Sequence, residues 1–559
     1  MKKFFAMGSD IIDSNEVKTK GESFLKGTLI LTVAGFIVKI IGSLNWIFVS
    51  RILGGEGIGL YQMAFPIYFF AMTVSQAGVP VAISIITAER VALKDIYGAK
   101  RVFRISMTLM FFTGVLFSLL TYFGASWLIE WQFIRDPRAY MSMVALAPTV
   151  FFVTFLASSR GYLQGWQRMT PTAVSQIIEQ IFRVVTMIVL AELFMPWGLP
   201  YASAGASLGA LAGAVTGLIV LVYYHIQLEK DIERTYGPKL KPAPGADKES
   251  AFDIMKRIFT LSLPVSAASI MLPVVSNLDL MIVPQRLEVA GYSVHQATEL
   301  FGYLTGMAVP LVNLATILTA SMAMSIVPAI SEARTLNQHE RVKNQVSSSV
   351  RISNLVCFPA FIVVFLLATP ISSLIYNAPG AGPAVMISAV SIVLLGLHQV
   401  TTAVLQGLGH TKIPMINMVL AAVAKVILNW SLTAIPWLGI MGAAWATAAD
   451  MGVAAFINLY FINRYIGYKM EISHLLKTVF AAVIMGVAVK LFYTITLETF
   501  GIDAFSIFGA VFAGVVVYVA TLVAVGGVKR ADLERIPMIG KYFIIVFDKL
   551  GIFKNEVTK

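Results

Sequence analysis

Seven ionisable side chains lie inside stretches that are otherwise apolar for about 20 residues, the length that crosses a bilayer as a helix. They are Lys39, Glu179, Arg183, Asp279, Lys425, Asp450 and Lys490. A charge at bilayer depth costs a few kcal/mol at least, so such groups pair with one another or face a polar cavity. The chemistry that they predict is electrostatic: binding of a charged solute, or coupling to an ion.

Four of these charges form two predicted pairs. Glu179 and Arg183 stand four residues apart, which places them on one face of a helix. Lys425 and Asp450 lie on consecutive spans at nearly equal distances from the turn near Leu438, so we expect them at the same depth. Either the pairs neutralise each other within their part of the protein, or substrate binding or ion coupling separates them during transport.

Lys39 and Asp279 have no partner nearby in the sequence. Lys39 is midway along the first apolar stretch, where it either faces a central cavity and attracts an anionic group or extends its ammonium to the interface. Asp279, beside Asn277, has several open roles: it coordinates Na⁺, carries a proton, caps Arg286, or accepts hydrogen bonds between helices.

The composition excludes most other classes of protein. Of 559 residues, 57% are hydrophobic and 13% are charged, against about 25% charged in soluble domains. Such a chain is neither soluble, disordered nor collagen-like. Its one cysteine excludes a disulfide framework and a cysteine metal site, and its six histidines lack the spacing of a zinc site. A GxxxxGK[ST] nucleotide-binding loop does not occur, so the chain by itself is not ATP-driven.

The apolar pattern predicts an all-α polytopic membrane protein with 14 transmembrane helices. The predicted spans are 26–50, 58–86, 104–129, 139–160, 172–194, 202–226, 259–284, 301–330, 352–376, 382–407, 413–435, 439–463, 474–496 and 505–527.

The basic residues behind the net charge of +12 are distributed unevenly between the two sides of the membrane in the predicted topology. Lysine and arginine concentrate in alternate loops, which makes those loops cytoplasmic and places both termini in the cytosol. We expect a cytoplasmic N-terminal segment at 1–25, a cytoplasmic linker at 229–253 and a cytoplasmic tail at 529–559. The pattern of the tail predicts a basic amphipathic segment that lies on the anionic inner leaflet, and the alternative is a solvated tail. The basic charge therefore predicts orientation and lipid contact, and no nucleic acid partner.

An internal repeat relates the two halves of the chain. Four matches recur in the same order at an interval of 242 to 244 positions: 63–66 with 307–310, Arg90 with Arg334, 163–165 with 405–407, and Arg183 with Lys425. Six spans per repeat is an even number, so the repeats enter the membrane in the same direction. We predict an N-lobe at 26–228 and a C-lobe at 254–466, two parallel six-helix lobes related by a pseudo-two-fold axis along the membrane normal. Two accessory C-terminal helices at 467–528 lie outside the repeat.

A family resemblance follows from this layout and from the first two spans. The runs 42–45 (GSLN), 50–54 (SRILG) and 59–61 (GLY), then Pro66, resemble the polysaccharide-transporter branch of the multidrug/oligosaccharidyl-lipid/polysaccharide (MOP) flippase superfamily. Within that branch the chain is similar to stage V sporulation protein B-like proteins and to Gram-positive lipid II flippases. The resemblance implies alternating access, and a groove for a lipid tail at the two extra helices.

The resemblance also implies residues for the headgroup of a lipid-linked sugar. It puts an essential basic residue at Lys39 and a further arginine where this chain has Asn45. Arg51 and Arg286, expected near the outer exit, and Asn313 complete the headgroup candidates. Family sodium sites use a further acid in span eleven, where this chain has Asn417 and Asn429 but no Asp or Glu, so the resemblance disfavours sodium coupling, and no metal site is predicted. Pro66, Pro264, Pro273 and Pro310 are candidate kinks of moving helices, with packing as the alternative.

The leading hypothesis is a flippase, not an enzyme, that moves an undecaprenyl-diphosphate-linked saccharide such as the peptidoglycan precursor lipid II to the outer leaflet of a bacterial plasma membrane. It needs no cofactor, since membrane potential, H⁺ or Na⁺ would drive it. Expected partners are the lipid-linked oligosaccharide, membrane lipids and cell-wall synthesis proteins, with the chain itself a monomer. The alternatives are a multidrug/cation antiporter of the same superfamily and an exporter of a capsule or exopolysaccharide unit. A membrane glycosyltransferase would need a large outer loop or an acidic catalytic cluster, and neither is predicted.

Overall fold

Helices form nearly all of the chain in the computed structural model, which describes residues 24–76, 78–237 and 249–527; strands do not occur in these ranges. The N half contains α1 (Phe24–Gln76), α2 (Val79–Ala92), α3 (Ile96–Glu130), α4 (Tyr140–Gly165), α5 (Thr170–Phe194) and α6 (Leu199–Tyr236). The C half begins with α7 (Ala251–Val289), α8 (Val294–Gly302), a π-helical turn (Tyr303–Ala308), α9 (Val309–Ala315) and α10 (Ile317–Thr335).

The C half continues with α11 (His339–Leu366), α12 (Ala368–Tyr376), α13 (Gly382–Ser388), α14 (Val390–Gly407), α15 (Lys412–Leu432) and α16 (Ile440–Ile466). The accessory pair is α17 (Ile472–Phe500) and α18 (Asp503–Ala524), which pack on each other and on α11. Short 3₁₀ turns at Pro137–Ala139, Met195–Trp197 and Pro379–Ala381 connect some of these helices.

Eleven helices of the described chain are long and apolar enough to cross a membrane, or twelve if the bent pair Val294–Ala315 and Ile317–Thr335 is one span. The protein is therefore a polytopic all-helical membrane protein, as predicted. One of these eleven is the stretch Ile30–Ala92, which has 63 residues and covers the first two predicted spans.

The long first stretch is interrupted at glycine. Gly54 has φ 64° and ψ −175°, a conformation that an L side chain rarely adopts, and it separates the first predicted span from the second. A second break precedes α2, where Gly78 has φ 67°. The other sharp bend, of 53°, lies at Thr316 between α9 and α10.

Three apolar cores hold the bundle together. The largest contains residues of both halves, with Leu60 and Met63 of α1 in the same cluster as Phe301 and Met307 of the C half. The second consists of N-half residues and the start of α7, and the third of C-half residues from α10, α11, α14 and α16 with Tyr468. The halves thus share the largest core near the predicted outer loops, whereas near the predicted cytoplasmic loops the N half packs on the start of α7 and the third core contains C-half residues alone.

Glycines allow the halves to meet closely in the shared core. Gly55 and Gly59 on α1 face Gly302 and Gly306 of the C half, and a Cβ atom on Gly59 would overlap the carbonyl oxygen of Thr298. Both pairs have the G-x-x-x-G spacing that permits close helix contact in membranes. This contact was missed in the sequence, although the spacing is visible there.

Two predicted boundaries change in the structure. Helix α6 continues to Tyr236, inside the predicted linker, because Asp231 on this extension pairs with Arg168 at 2.7 Å and Glu229 pairs with Lys100. Helix α7 begins at Ala251, earlier than the predicted span, with Ser250 and Asp253 forming a capping box. Residues 238–248, the segment 1–23 and the tail from 528 lie outside the described residues.

Candidate functional site

A cavity of about 470 Å³ lies in the N half between α1, α4 and α5, with Pro80 of α2 at its edge. This volume falls in the range of about 300–1,000 Å³ that small-ligand sites occupy. One wall is aromatic, with Phe65, Tyr68 and Phe69 from α1. The opposite wall is polar and carries Arg160, Gln164, Gln176, Glu179 and Arg183.

The N-half charge cluster consists of Arg160, Glu179 and Arg183. Arg183 Nη2 lies 2.6 Å from Glu179 Oε1, which confirms the predicted pair. Arg160 Nη2 lies 2.8 Å from Glu179 Oε2, and Arg160 Nε donates to Ser175 Oγ at 3.0 Å. One carboxylate thus binds two guanidinium groups, and the cluster has a net charge of +1 when all three are ionised.

Arg160 was not among the predicted intramembrane charges, because it is the last residue of the predicted span 139–160 and was counted with the cytoplasmic side. Helix α4 continues past the predicted end of span four to Gly165, so Arg160 lies inside the helix and reaches α5. A weak signal was present: Ser175 and Glu179, its two partners, are four residues apart and share one face of α5.

The C-half charge cluster consists of Asp279, Lys425, Asn429 and Asp450. Lys425 Nζ donates to Asp279 Oδ2 at 2.5 Å, and Asn429 Nδ2 donates to Asp279 Oδ1 at 2.8 Å. Asp450 is 8% exposed and acts on Lys425 electrostatically without an ion pair within 4 Å. Two carboxylates and one ammonium give this cluster a net charge of −1 when ionised.

The predicted direct pairing of Lys425 with Asp450 is therefore wrong, and so is a cap on Arg286 by Asp279. Equal depth on consecutive helices was the basis of the first prediction, but α7 packs against α15 and brings Asp279 to the ammonium first. Asp279 and Arg286 are seven residues apart on α7, about 10 Å along the axis, and each binds α15 separately.

Lys39 is exposed on α1 and has no ion pair or hydrogen bond within the described ranges. Val33, Leu44 and Phe48 of the same helix are also exposed. Lys39 does not belong to the lining of the 470 Å³ cavity, so its role towards a headgroup stays a prediction. Asn45 is 5% exposed and donates to Met187 Sδ at 3.1 Å, which places it between α1 and α5.

The other headgroup candidates lie elsewhere. Arg51 Nε donates to the Ile375 carbonyl at 2.8 Å and Nη2 to the Leu374 carbonyl, which ties α1 to the C-terminal end of α12. Arg286 donates to the Trp430 carbonyl at 2.8 Å and lies over its ring at 4.4 Å. Asn313 is exposed on α9. The structure does not bring these residues and Lys39 into one site.

The candidate kink prolines lie within or at the start of helices. Helix α1 runs through Pro66 and α7 runs through Pro264 and Pro273, while Pro310 opens α9 after the π-helical turn. Asn277 Nδ2 donates to the carbonyls of both Pro66 and Pro273 at 2.8 Å, which joins α1 to α7. Bending at these prolines stays a prediction, because the breaks between helical segments described for this fold lie at Gly54, Gly78 and Thr316.

A polar network, here called the seam, joins the halves beside the shared core. Asp136 in the loop before α4 accepts a hydrogen bond from Thr298 Oγ1 at 2.8 Å, and Arg138 lies 2.6 Å from Asp136 and 2.8 Å from Glu56. His295 also contacts Glu56 at 2.8 Å. Burial by itself would raise the pKa of Asp136, but the hydrogen bonds from Arg138 and Thr298 outweigh burial and hold that pKa below its usual value.

Groups of three or more His, Cys, Asp or Glu that could hold a metal ion do not occur in the part of the chain that the structure describes. The chemistry of the described site is thus carried by two charge clusters, one in each half, and by the cavity at the N-half cluster.

The family model described as a polysaccharide biosynthesis protein matches residues 24–334, which include the cavity, both breaks of the first stretch and the seam. The chain belongs to the polysaccharide biosynthesis protein family of the MOP flippase superfamily. The MatE model also matches residues 304–431. The resemblance predicted from the first two spans is confirmed.

Two curated relatives of this polysaccharide biosynthesis family member come from Bacillus subtilis (strain 168). The chain is 30% identical to stage V sporulation protein B over 94% of its own length and 99% of that protein. It is 26% identical to the lipid II flippase MurJ over 84% of its own length and 88% of that protein.

Among solved structures, the chain is similar to the lipid II flippase MurJ in an inward closed conformation. The TM-score is 0.66 at 15% identity, over 88% of this chain and 98% of that one. The likeness confirms an all-helical polytopic membrane fold of the MOP type.

Proposed function

We propose that the chain is a flippase that moves an undecaprenyl-diphosphate-linked saccharide, with lipid II as the specific cargo, from the inner to the outer leaflet by alternating access. The observation that carries the proposal is the net-positive N-half cavity, because two arginines that share one glutamate favour an anionic headgroup over a cationic drug. The names of the relatives, which include a lipid II flippase, support the same class of cargo.

The shared and separate cores suit such transport. A charged sugar headgroup cannot cross hydrocarbon alone, so the protein must offer it a polar path while the prenyl tail remains in lipid. The halves share their largest core near the predicted outer loops, while at the other end they meet at the start of α7 and the third core contains C-half residues alone, an arrangement that suits a carrier that receives its cargo from the cytoplasmic leaflet. In the opposite state the shared core would have to part.

We further propose fourteen spans in two six-helix lobes with an accessory pair, in a bacterial plasma membrane with both termini cytoplasmic. The stretch Ile30–Ala92 has 63 residues, about 95 Å of helix, which is enough for two crossings of a core about 30 Å thick. Its interruption at Gly54 supplies the turn. Helix α5 has 25 residues and is the remaining span, with Glu179, Arg183 and Glu192 as its charges.

The driving force that we propose is the membrane potential. Outward movement of an anion is favoured by about 2.3 kcal/mol per charge at 100 mV, inside negative. The coupling site of a cation would need a free carboxylate, and Asp279 is already bound by Lys425 and Asn429. Transport that continues after sodium is replaced by choline, and stops when the potential is dissipated, would support this choice.

Complementation tests the cargo and the role of Lys39 together. We expect the wild-type chain to restore growth when the native lipid II flippase is depleted, and Lys39→Ala to restore it poorly because the anionic headgroup loses an unpaired cation. Lys490→Ala is the matched control, since Lys490 is also exposed within an apolar helix but lies in the accessory pair. Failure of well-expressed wild type would exclude lipid II, and equal rescue by both variants would remove Lys39 from the headgroup site.

A cation antiporter is the second candidate, favoured by one observation. Asp450 is a buried carboxylate in the C half without an ion pair within 4 Å, and a cationic substrate or a proton could satisfy it. Overexpression would then lower susceptibility to cationic drugs, and Asp450→Asn would abolish that effect. Unchanged susceptibility on overexpression would exclude this candidate.

A further inference from the structure

The N-half charge cluster has an uncompensated positive charge that neighbouring residues do not remove. Arg160 and Arg183 both bind Glu179, and the other residues of the cavity lining are uncharged. The side chains of Arg160, Arg183 and Glu179 are 17%, 28% and 14% exposed. An excess charge this poorly hydrated is unfavourable, so the empty cavity favours entry of one negative charge.

Donors remain available on both guanidinium groups. Each guanidinium has five N–H groups, and Arg160 uses its Nε for Ser175 and its Nη2 for Glu179. Arg183 uses Nη2 for Glu179, and its buried Nε has no hydrogen-bond partner among the residues that the structure describes. The hydroxyl of Tyr68, a residue that is 2% exposed and lines the cavity, is also buried without a partner. Planar forks of this kind bind carboxylate and phosphate oxygens two at a time.

The aromatic wall gives the cavity a second property. The rings of Phe65 and Phe69 stack with centroids 6.0 Å apart and planes at 16°. Together with Tyr68 they present apolar surface opposite the arginines. A ligand that suits both walls has an apolar face that packs on aromatic rings and an oxyanion elsewhere, and an acidic or phosphorylated sugar offers both, since one face of a pyranose ring carries mainly C–H groups.

We propose that the cavity is an oxyanion subsite for a saccharide that carries a carboxylate or a phosphate, with Arg160 and Arg183 as its ligands and Glu179 as the carboxylate that neutralises one of their two charges. The inference rests on the proposed function and deepens it, because it requires the headgroup to carry an acidic group that binds in the N-half cavity. Binding of one anion brings the cluster from +1 to neutrality, and Glu179 does not have to leave.

A series of charge variants tests this subsite directly. The full chain in lipid nanodiscs is titrated with glucuronate, with pyrophosphate and with glucose, which differs from glucuronate by lacking the carboxylate. Arg183→Gln makes the cluster neutral, wild type leaves it at +1 and Glu179→Gln makes it +2. We expect the affinity for the oxyanion probes to fall about tenfold in the first variant and to rise severalfold in the second. The affinity for glucose should be weak and equal in all three.

The order of affinities separates a binding role from a structural one. Both substitutions break the Arg183–Glu179 pair, so a purely structural cluster predicts that both weaken binding, and that result would overturn the inference. Gln176→Glu provides a variant that leaves the three ion-pairing residues intact: it lines the same cavity and adds one negative charge. It should weaken oxyanion binding as Arg183→Gln does. Rising salt should weaken glucuronate binding to wild type without changing that of glucose.

The probes also distinguish the two sources of the oxyanion. Binding of glucuronate in this order assigns the subsite to an acidic sugar, and binding of pyrophosphate alone assigns it to the diphosphate of the lipid. No binding of either to wild type would overturn the inference even if complementation succeeds. Correct ordering together with failed complementation would instead contradict the proposed function and retain the subsite.

Discussion

The two charge clusters share one position of the repeat, that of Arg183 and Lys425, and differ in sign. Arg183 aligns with Lys425, Met187 with Asn429, and Asn45 loosely with Asp279. In the N half, Asn45 contacts Met187, and Arg183 is bound by Glu179 of its own helix. In the C half, Asp279 contacts both Lys425 and Asn429 across two helices. The position one turn after the repeated cation therefore differs between the halves. Met187 accepts a hydrogen bond from Asn45 in the N half, whereas Asn429 donates one to Asp279 in the C half.

The difference shows how a repeat acquires two roles. The N-half cluster lines a cavity and keeps an excess positive charge, which suits it to an external anion. The C-half cluster binds its own cation, since Lys425 has 8% of its side chain exposed and carboxylates on α7 and α16 act on it. An internal ammonium there takes the interaction that a coupling cation would otherwise make.

The largest effect is expected from removing the Lys425 ammonium, the cation at the centre of the C-half cluster. Lys425→Met leaves the buried Asp450 and the partly buried Asp279 without a cation, and removal of one partner from a buried ion pair typically costs about 3–5 kcal/mol. The expected result is a large fall in the thermal unfolding temperature of the detergent-solubilised protein.

The repeat itself supplies the control. Arg183→Met removes the equivalent cation, but Arg160 continues to pair with Glu179, so the loss of stability should be much smaller. Asp279→Asn added to Lys425→Met should recover part of the loss, because it removes one stranded carboxylate. Equal losses at 183 and 425 would show that the two clusters do not differ in the way described.

A smaller effect is expected one turn farther along the same helices. Asn429→Leu removes the hydrogen bond to the Asp279 carboxylate, and bonds to charged groups contribute about 1.5–3 kcal/mol. Met187→Leu at the equivalent N-half position is a swap of similar volume that usually costs below about 1.5 kcal/mol. Denaturation of both variants should rank Asn429→Leu as the less stable, and the reverse order would contradict the assignment.

The smallest expected effect is a pH dependence of the seam, which joins the halves that carry the two clusters. Because the pKa of Asp136 is lowered in the folded protein, its contribution to stability is complete above the unfolded value of about 3.9 and is lost as the pH falls through the folded value. Wild type should therefore unfold at a higher temperature than Asp136→Asn at neutral pH, with the difference shrinking in acid. A difference that is constant with pH would assign another origin to it.

Much of the site was visible in the sequence because it depends on local spacing. Glu179 and Arg183 are four residues apart on one helix, and their pairing needs no knowledge of other helices. The pairing of Lys425 was mispredicted because sequence distance from a turn gives depth but not direction around the helix. Arg160 was missed for a related reason, since it stands where the predicted apolar run ends, whereas the helix continues to Gly165.

Hydropathy and residue spacing along one chain are enough to predict the membrane character, the helical class, the repeat and the charges within the spans. The tertiary structure decided which charges meet, since partners such as Asp279 and Lys425 are 146 residues apart and their contact depends on how α7 packs on α15. Helix packing, which hydropathy does not encode, likewise joins the halves in one large core at one end and leaves the third core to the C half alone at the other.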